Sequence, residues 1–167
     1  MSTSKLIVGK ERADVRFGRE DADAALKVLG AFGVLFVLVS AIDILLALVP
    51  ANLSEPDARF AALGATAGAL PLLAVGVLAF EIAALGRGSR LGTRVAVGLT
   101  LLMTVLTVSA LILFVMSHGA TKTAAPTDLV ELVTATFRRG LASFLFFGTA
   151  FAMGCLTAVR TLRPRST

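Results

Sequence analysis

Four long apolar blocks set the limits on what this chain can fold into. Between the residues that flank them they hold 22 residues (Lys27 to Pro50), 21 (Arg59 to Glu81), 23 (Arg94 to His118) and 20 (Arg139 to Arg160). About 20 apolar residues at ~1.5 Å of rise each cross the hydrocarbon of a bilayer. With 56% hydrophobic residues and a mean hydropathy of +0.87 in a chain of 167, a soluble globular domain is a poor description. The expected fold is all-α, an integral-membrane bundle of four transmembrane helices with spans at about 26–49, 60–86, 94–117 and 138–160. The first partner it implies is the lipid bilayer.

The first block competes with a cleaved signal peptide. About 25 polar residues precede it, it is longer than the usual ~7–15-residue apolar region, and no convincing small-residue cleavage site follows, so it is expected to stay as an anchor. Basic residues set the orientation. Lys5, Lys10, Arg12, Arg16, Arg19, Lys27, Arg87, Arg90, Arg94, Arg160, Arg163 and Arg165 fall on one side, against Arg59, Lys122, Arg138 and Arg139 on the other. The positive-inside rule then places both termini in the cytoplasm, in an inner membrane. The net charge of +5 is explained by this topology, because the cations flank spans and the tail also carries Glu11, Asp14, Glu20, Asp21 and Asp23. No nucleic-acid partner is expected.

Along the chain, residues 1–24 read as a polar cytoplasmic tail, disordered or acting as a docking strap, and Asp21 or Asp23 as the cap of the first helix, which Pro50 ends. The loop PANLSEPDAR contains the sequon Asn52-Leu53-Ser54 close to the membrane. In the second helix Gly64 and Gly68 have the spacing that permits close backbone packing, and Pro71 sits near its middle. RGSRLGTR makes a tight turn between antiparallel helices. Residues 127–137 are amphipathic, with Leu129, Leu132, Val133 and Thr136 on one face, and read either as an interfacial helix or as the outward extension of the fourth span. Residues 164–167 form a basic cytoplasmic end.

Two carboxylates interrupt the apolar blocks. Asp43 lies seven residues before Pro50 and Glu81 six before Arg87, so they stand at different depths and do not form a paired acid/base site. An ionised carboxylate in hydrocarbon costs at least ~2.5–3.5 kcal/mol, so each must be protonated, paired or wetted. Candidate partners are Arg138 and Arg139, and less so Arg59, for Asp43, and Arg94 and Arg160 for Glu81. Either a structural role fixing the bundle's register, an ion-coupling role or a contact with a partner subunit is compatible with the sequence.

Thr93, Thr100, Thr104 and Thr107 share one face of the third helix; Thr100 is expected at the depth of Glu81, where its hydroxyl either reaches the carboxyl or bonds its own helix. The fourth helix carries a stripe of Phe137, Phe144, Phe147 and Phe151, expected to face lipid or a partner, and a small face of Gly148, Ala152 and Cys155, expected to pack. His118, the single histidine, sits at a helix end. Cys155, the single cysteine, permits no internal disulfide. No phosphate loop, HExxH or nucleophile triad is present; no catalytic or metal-binding residues and no cofactor are expected.

DILLALVP at 43–50, SEPDARF at 54–60 and ALPLLAVGVLAF at 69–80, in that order, resemble the HpsJ-like family of small membrane proteins, which is associated with polysaccharide synthesis or secretion in cyanobacteria. The resemblance covers residues 43–80 and implies that Asp43 and Pro50 belong to a shared helix-end motif shaping the outer turn. Ala51 and Ala58 depart from the family's proline and aromatic. The function expected is that of a non-enzymatic accessory, assembly or scaffold subunit bound to other integral membrane subunits of a bacterial membrane complex. Two alternatives stand beside it: a small oligomeric transporter or channel using Glu81 and the Thr100/Thr104/Thr107 seam, and a photosynthetic or respiratory subunit that meets pigment or quinone through the Phe stripe.

Overall fold

The structure, a computed structural model, describes residues 3–162, and the side chains of residues 20–160. Four helices follow one another: α1 (Thr3–Leu48), α2 (Pro56–Gly86), α3 (Arg90–Ala124) and α4 (Val130–Leu162). All four contain stretches long and apolar enough to cross a membrane. The basic end at 164–167 lies outside the described residues.

Local chemistry explains the boundaries. α2 opens with Pro56, whose fixed φ suits a first helical position, behind an extended Glu55 and ahead of Asp57 in the first turn. The preceding loop closes on itself: Asn52 Nδ2 donates to Glu55 Oε1 at 2.9 Å, and Ser54 Oγ donates to Asn52 Oδ1 at 2.6 Å. The sequon asparagine is therefore part of the turn. Gly88, at φ 62°, makes the turn after α2, and Ser89 caps α3 by accepting from the Gly92 N–H at 3.1 Å. α2 runs through Pro71 without a break. Pro71 gives up one backbone bond, a loss membrane helices tolerate.

Two boundary expectations change and one choice is decided. α1 begins at Thr3, so neither Asp21 nor Asp23 caps it; Asp23 lies inside the helix, 2.7 Å from Lys27 Nζ and 3.5 Å from Arg87 Nε. α3 continues past His118 to Ala124. Of the two readings of residues 127–137, the outward extension of the fourth span holds and the separate interfacial helix does not, because α4 starts at Val130 and continues through 137. Their proposed face also splits: Leu129 and Leu132 are exposed, whereas Val133 packs on the core and Thr136 Cγ2 approaches Gly64.

α2 is the centre of the bundle. It packs against each of the other three helices, α3 packs also on α4, and among the described residues α1 packs on α2 alone. The core accordingly takes most of its residues from α2: Phe60, Leu63, Leu70, Leu73 and Val77, closed by Phe114 of α3 and by Phe144 and Phe151 of α4. The Phe stripe of α4 thus faces inward, contrary to expectation: Phe144 and Phe151 are buried and Phe137 and Phe147 pack against them, while Phe146 is the exposed aromatic. α3 receives them, and Gly140 makes room for the Phe114 ring, since a Cβ there would lie 2.7 Å from Cε1.

The tight helix crossing is also elsewhere than expected. A Cβ on Gly68 would meet nothing within 4 Å, and one on Gly64 would make ordinary contact. A Cβ on Gly33 would lie 2.7 Å from Phe80 N and 2.8 Å from Gly76 O, and one on Gly76 2.9 Å from Gly33 O. α1 and α2 therefore touch backbone to backbone at Gly33 and Gly76. Leu26, Gly30, Gly33, Val37, Ser40, Ile44 and Ala47 form the covered stripe of α1, spaced alternately by four and three residues. That is the spacing of an antiparallel helix seam.

Candidate functional site

Glu81 occupies the junction of α2, α3 and α4. It is 4% exposed, the only buried carboxyl among the described residues. Gly154 of α4 creates its space: a Cβ there would stand 3.0 Å from Glu81 Oε2 and 3.7 Å from Thr100 Cγ2. Thr100 is therefore at the depth expected, but it presents its methyl, and its hydroxyl donates to Ala96 O at 3.0 Å and Val97 O at 3.1 Å. Thr104 likewise donates to Thr100 O, and Thr93 to Ser89 O. Thr107 is buried where its methyl would meet a Cβ on Gly148. The threonine seam is a packing surface whose resolved hydroxyl bonds stay within α3.

The residue that reaches Glu81 is one the sequence reading missed. Thr157 Oγ1 lies 3.4 Å from Glu81 Oε1 and donates at 2.7 Å to Gly154 O. A hydroxyl has one proton, and the shorter contact to Gly154 O holds it, which leaves the contact to Glu81 Oε1 long and weak. Oε2 has no hydrogen-bond partner. Neither Arg94 nor Arg160 forms an ion pair with Glu81; both are exposed. Thr157 follows Gly154 by three positions and shares its face of α4, but nothing in that spacing points to Glu81.

Asp43 presents the opposite case. It is exposed on α1, and among the described residues it forms no ion pair or hydrogen bond. Arg138 and Arg139 are exposed on α4, which α1 does not touch. Arg59 is engaged elsewhere: its Nε donates to Ser117 Oγ at 2.7 Å, and Ser117 Oγ donates in turn to Leu113 O. None of the three expected partners meets Asp43 within the chain.

Beside Arg59 is an aromatic cluster that ties three helices at the end bearing the 49–55 loop. Phe60 stacks on Phe114 (centroids 4.8 Å apart, planes 3°), and His118 stacks on Phe137 at 3.8 Å and 11°. His118 Nδ1 is buried without a hydrogen-bond partner. The imidazole acts here as a flat packing group. At the other end a crevice of about 310 Å³ runs between α1 and the α2–α3 turn, lined by Leu26, Gly30, Phe80 and Ala84 with Lys27 and Arg87 at its edge. Cys155 is half-buried and free. Ala152, on the same small face as Gly148, is also half-buried. No three His, Cys, Asp or Glu side chains gather as a metal site among the described residues.

Comparison with protein-family models, curated proteins and solved structures gives no match.

Proposed function

We propose that this chain is a multi-pass bacterial inner-membrane protein, with both termini cytoplasmic, that serves as a non-enzymatic accessory or scaffold subunit of a larger membrane complex. The observation that carries this reading is α1. It is a 46-residue helix that, among the described residues, packs on one neighbour only. At 1.5 Å per residue it is about 69 Å long, more than twice the ~30 Å of hydrocarbon. Leu26 packs at Gly86, the end of α2, so the residues before it continue for roughly 35 Å past that end. Within the apolar part, Phe32, Leu35, Leu38, Ile42, Leu45 and Leu46 are uncovered. A helix so extended and one-sided suits the display of surface to other subunits, at some cost to the chain's own packing.

The test is gentle detergent extraction of the tagged protein from its native membrane, followed by a native gel and mass spectrometry. Stoichiometric companions are expected, and deletion of residues 3–20 should release them while leaving the bundle helical. Purification without companions would overturn the reading.

A second reading, ion coupling, is favoured by Glu81 alone, a buried carboxyl with one unpartnered oxygen at a three-helix junction. It rests on Thr157 and no longer on the threonine seam. In proteoliposomes, Glu81→Gln should abolish pH-driven flux if this reading holds, and should leave any flux unchanged if the acid only packs. The pigment or quinone reading loses its surface, because the Phe stripe lies in the chain's own core.

A further inference from the structure

We propose that a second copy of this chain covers the Asp43 flank of α1, with Asp43 of one copy paired to Arg138 or Arg139 on α4 of the other. This goes beyond the accessory reading and does not depend on it.

The inference rests on register. α1 and α2 run antiparallel with Leu26 beside Gly86, Gly30 beside Ala83, and Gly33 beside Gly76 and Phe80. Continued toward the 49–55 loop, that register sets Asp43 level with about Ala69 of α2. α2 and α4 run parallel, with Gly64 beside Thr136 and Glu81 beside Gly154. The same level therefore falls at about Ala142 on α4. Arg138 and Arg139 stand three to four residues nearer the loop end, ~5–6 Å along the axis, which is within the reach of an arginine side chain.

Opposite charges thus share one depth, yet they do not meet inside one chain, because among the described residues α1 packs on α2 and not on α4. Each is exposed, and none takes part in an ion pair among the described residues. A carboxylate on a lipid-facing surface is costly unless paired or wetted, and a guanidinium at the same depth is the group best suited to pair with it bidentately. Apolar side chains flank the acid: Val39, four residues before it on α1, and Leu46, three after, are both exposed. A second copy supplies the matching arginines at the matching depth with no further component. Closed symmetric assemblies are the usual form such self-complementary surfaces take.

The experiment uses full-length chains in a Cys155→Ser background. One carries Asp43→Cys and one tag; the other carries Arg138→Cys or Arg139→Cys and a second tag. They are co-expressed and the membranes oxidised with copper phenanthroline. A disulfide joining the two tags is expected for at least one arginine position. In parallel, native mass spectrometry of the wild type should show an oligomer. Asp43→Arg should reduce it at least tenfold, and adding Arg138→Asp with Arg139→Asp should restore it. Asp43 is exposed and α1's covered stripe is untouched by these changes, so helicity by circular dichroism should be unaltered and serves as the folding control. A monomeric wild type, no bridge between the two tags at either arginine position, or a wild type found only with one copy beside a different subunit would each overturn the proposal.

Discussion

Residue by residue, the glycines of this chain divide into those that permit an approach and those that merely occupy a helix. Gly33 and Gly76 are of the first kind, because the atoms that a methyl group would strike are backbone or the Cβ of Phe36, none of which can swing away. Gly33→Ala or Gly76→Ala should therefore destabilise the bundle by about 1–3 kcal/mol, the usual cost of overpacking. Gly68→Ala, which meets open space, should be neutral or stabilising by up to about 1 kcal/mol through helix propensity. Unfolding in mixed micelles by SDS titration, followed by circular dichroism, separates the two; equal effects at Gly33 and Gly68 would refute the crossing. Phe114 completes the cluster at the other end of α2, and Phe114→Ala should cost about 3–5 kcal/mol in the same assay. The sequence contained the information for the crossing. The stripe of Leu26, Gly30, Gly33, Val37, Ser40, Ile44 and Ala47 is visible as a four-three alternation, whereas the Gly64–Gly68 pair fits a familiar motif without indicating which neighbour it would meet. Thr157 was illegible for another reason: its role depends on Gly154 leaving space for a side chain 73 positions earlier, a long-range coincidence that no local pattern carries.

At the scale of helices, length was legible and rotation was not. Each apolar block became a helix because runs of about 20 apolar residues satisfy their backbone internally, and Pro50, Pro56, Gly88 and Ser89 mark the breaks by local chemistry. Which face turns inward is harder to read, since lipid and core are both apolar and polarity no longer separates the two sides of a helix. The Phe stripe shows this: four rings at helical spacing fit a lipid face and a core face equally, and the structure selects the core. The end of α3 was missed similarly, because Lys122 and the small polar residues after His118 resemble a loop while still bonding as a helix. The α2–α3 turn gives a direct test of the local reading. Ser89→Ala removes the acceptor for the Gly92 N–H and should cost about 1 kcal/mol, while Ser89→Gly should cost only a few tenths. Gly88→Ala forces a side chain into the left-handed region and should cost about 1–2 kcal/mol. If Gly88→Ala proved silent, the turn would not depend on the positive φ.

For the molecule as a whole, charge is distributed by end. Lys27, Arg87, Arg90, Arg94 and Arg160 lie toward the end that carries the α2–α3 turn, and Arg59, Lys122, Arg138 and Arg139 toward the end that carries the 49–55 and 125–129 connections. The antiparallel register keeps these groups apart, with Leu26 beside Gly86 at one end and Phe60 on Phe114 at the other. A bilayer would read this asymmetry as an orientation, because basic residues near short loops are retained on the cytoplasmic side. Single cysteines placed in the Cys155→Ser background turn that into a measurement in intact cells. Leu53→Cys, in the exposed connection after α1, should react with a membrane-impermeant maleimide from outside. Arg90→Cys, at the start of α3, should react only after the inner membrane is permeabilised. The reverse pattern would invert the proposed topology and send the long arm of α1 outward, away from any cytoplasmic partner. Labelling of both sites in intact cells would indicate mixed insertion. Because the charge difference is twelve against four over the whole sequence, reversing it should take many substitutions; replacing Arg87, Arg90 and Arg94 together by Glu should still leave the basic residues before Lys27 to hold α1 in place. That triple variant should therefore retain the wild-type labelling pattern, and inversion on so small a change would show that the turn, and not the tail, governs insertion.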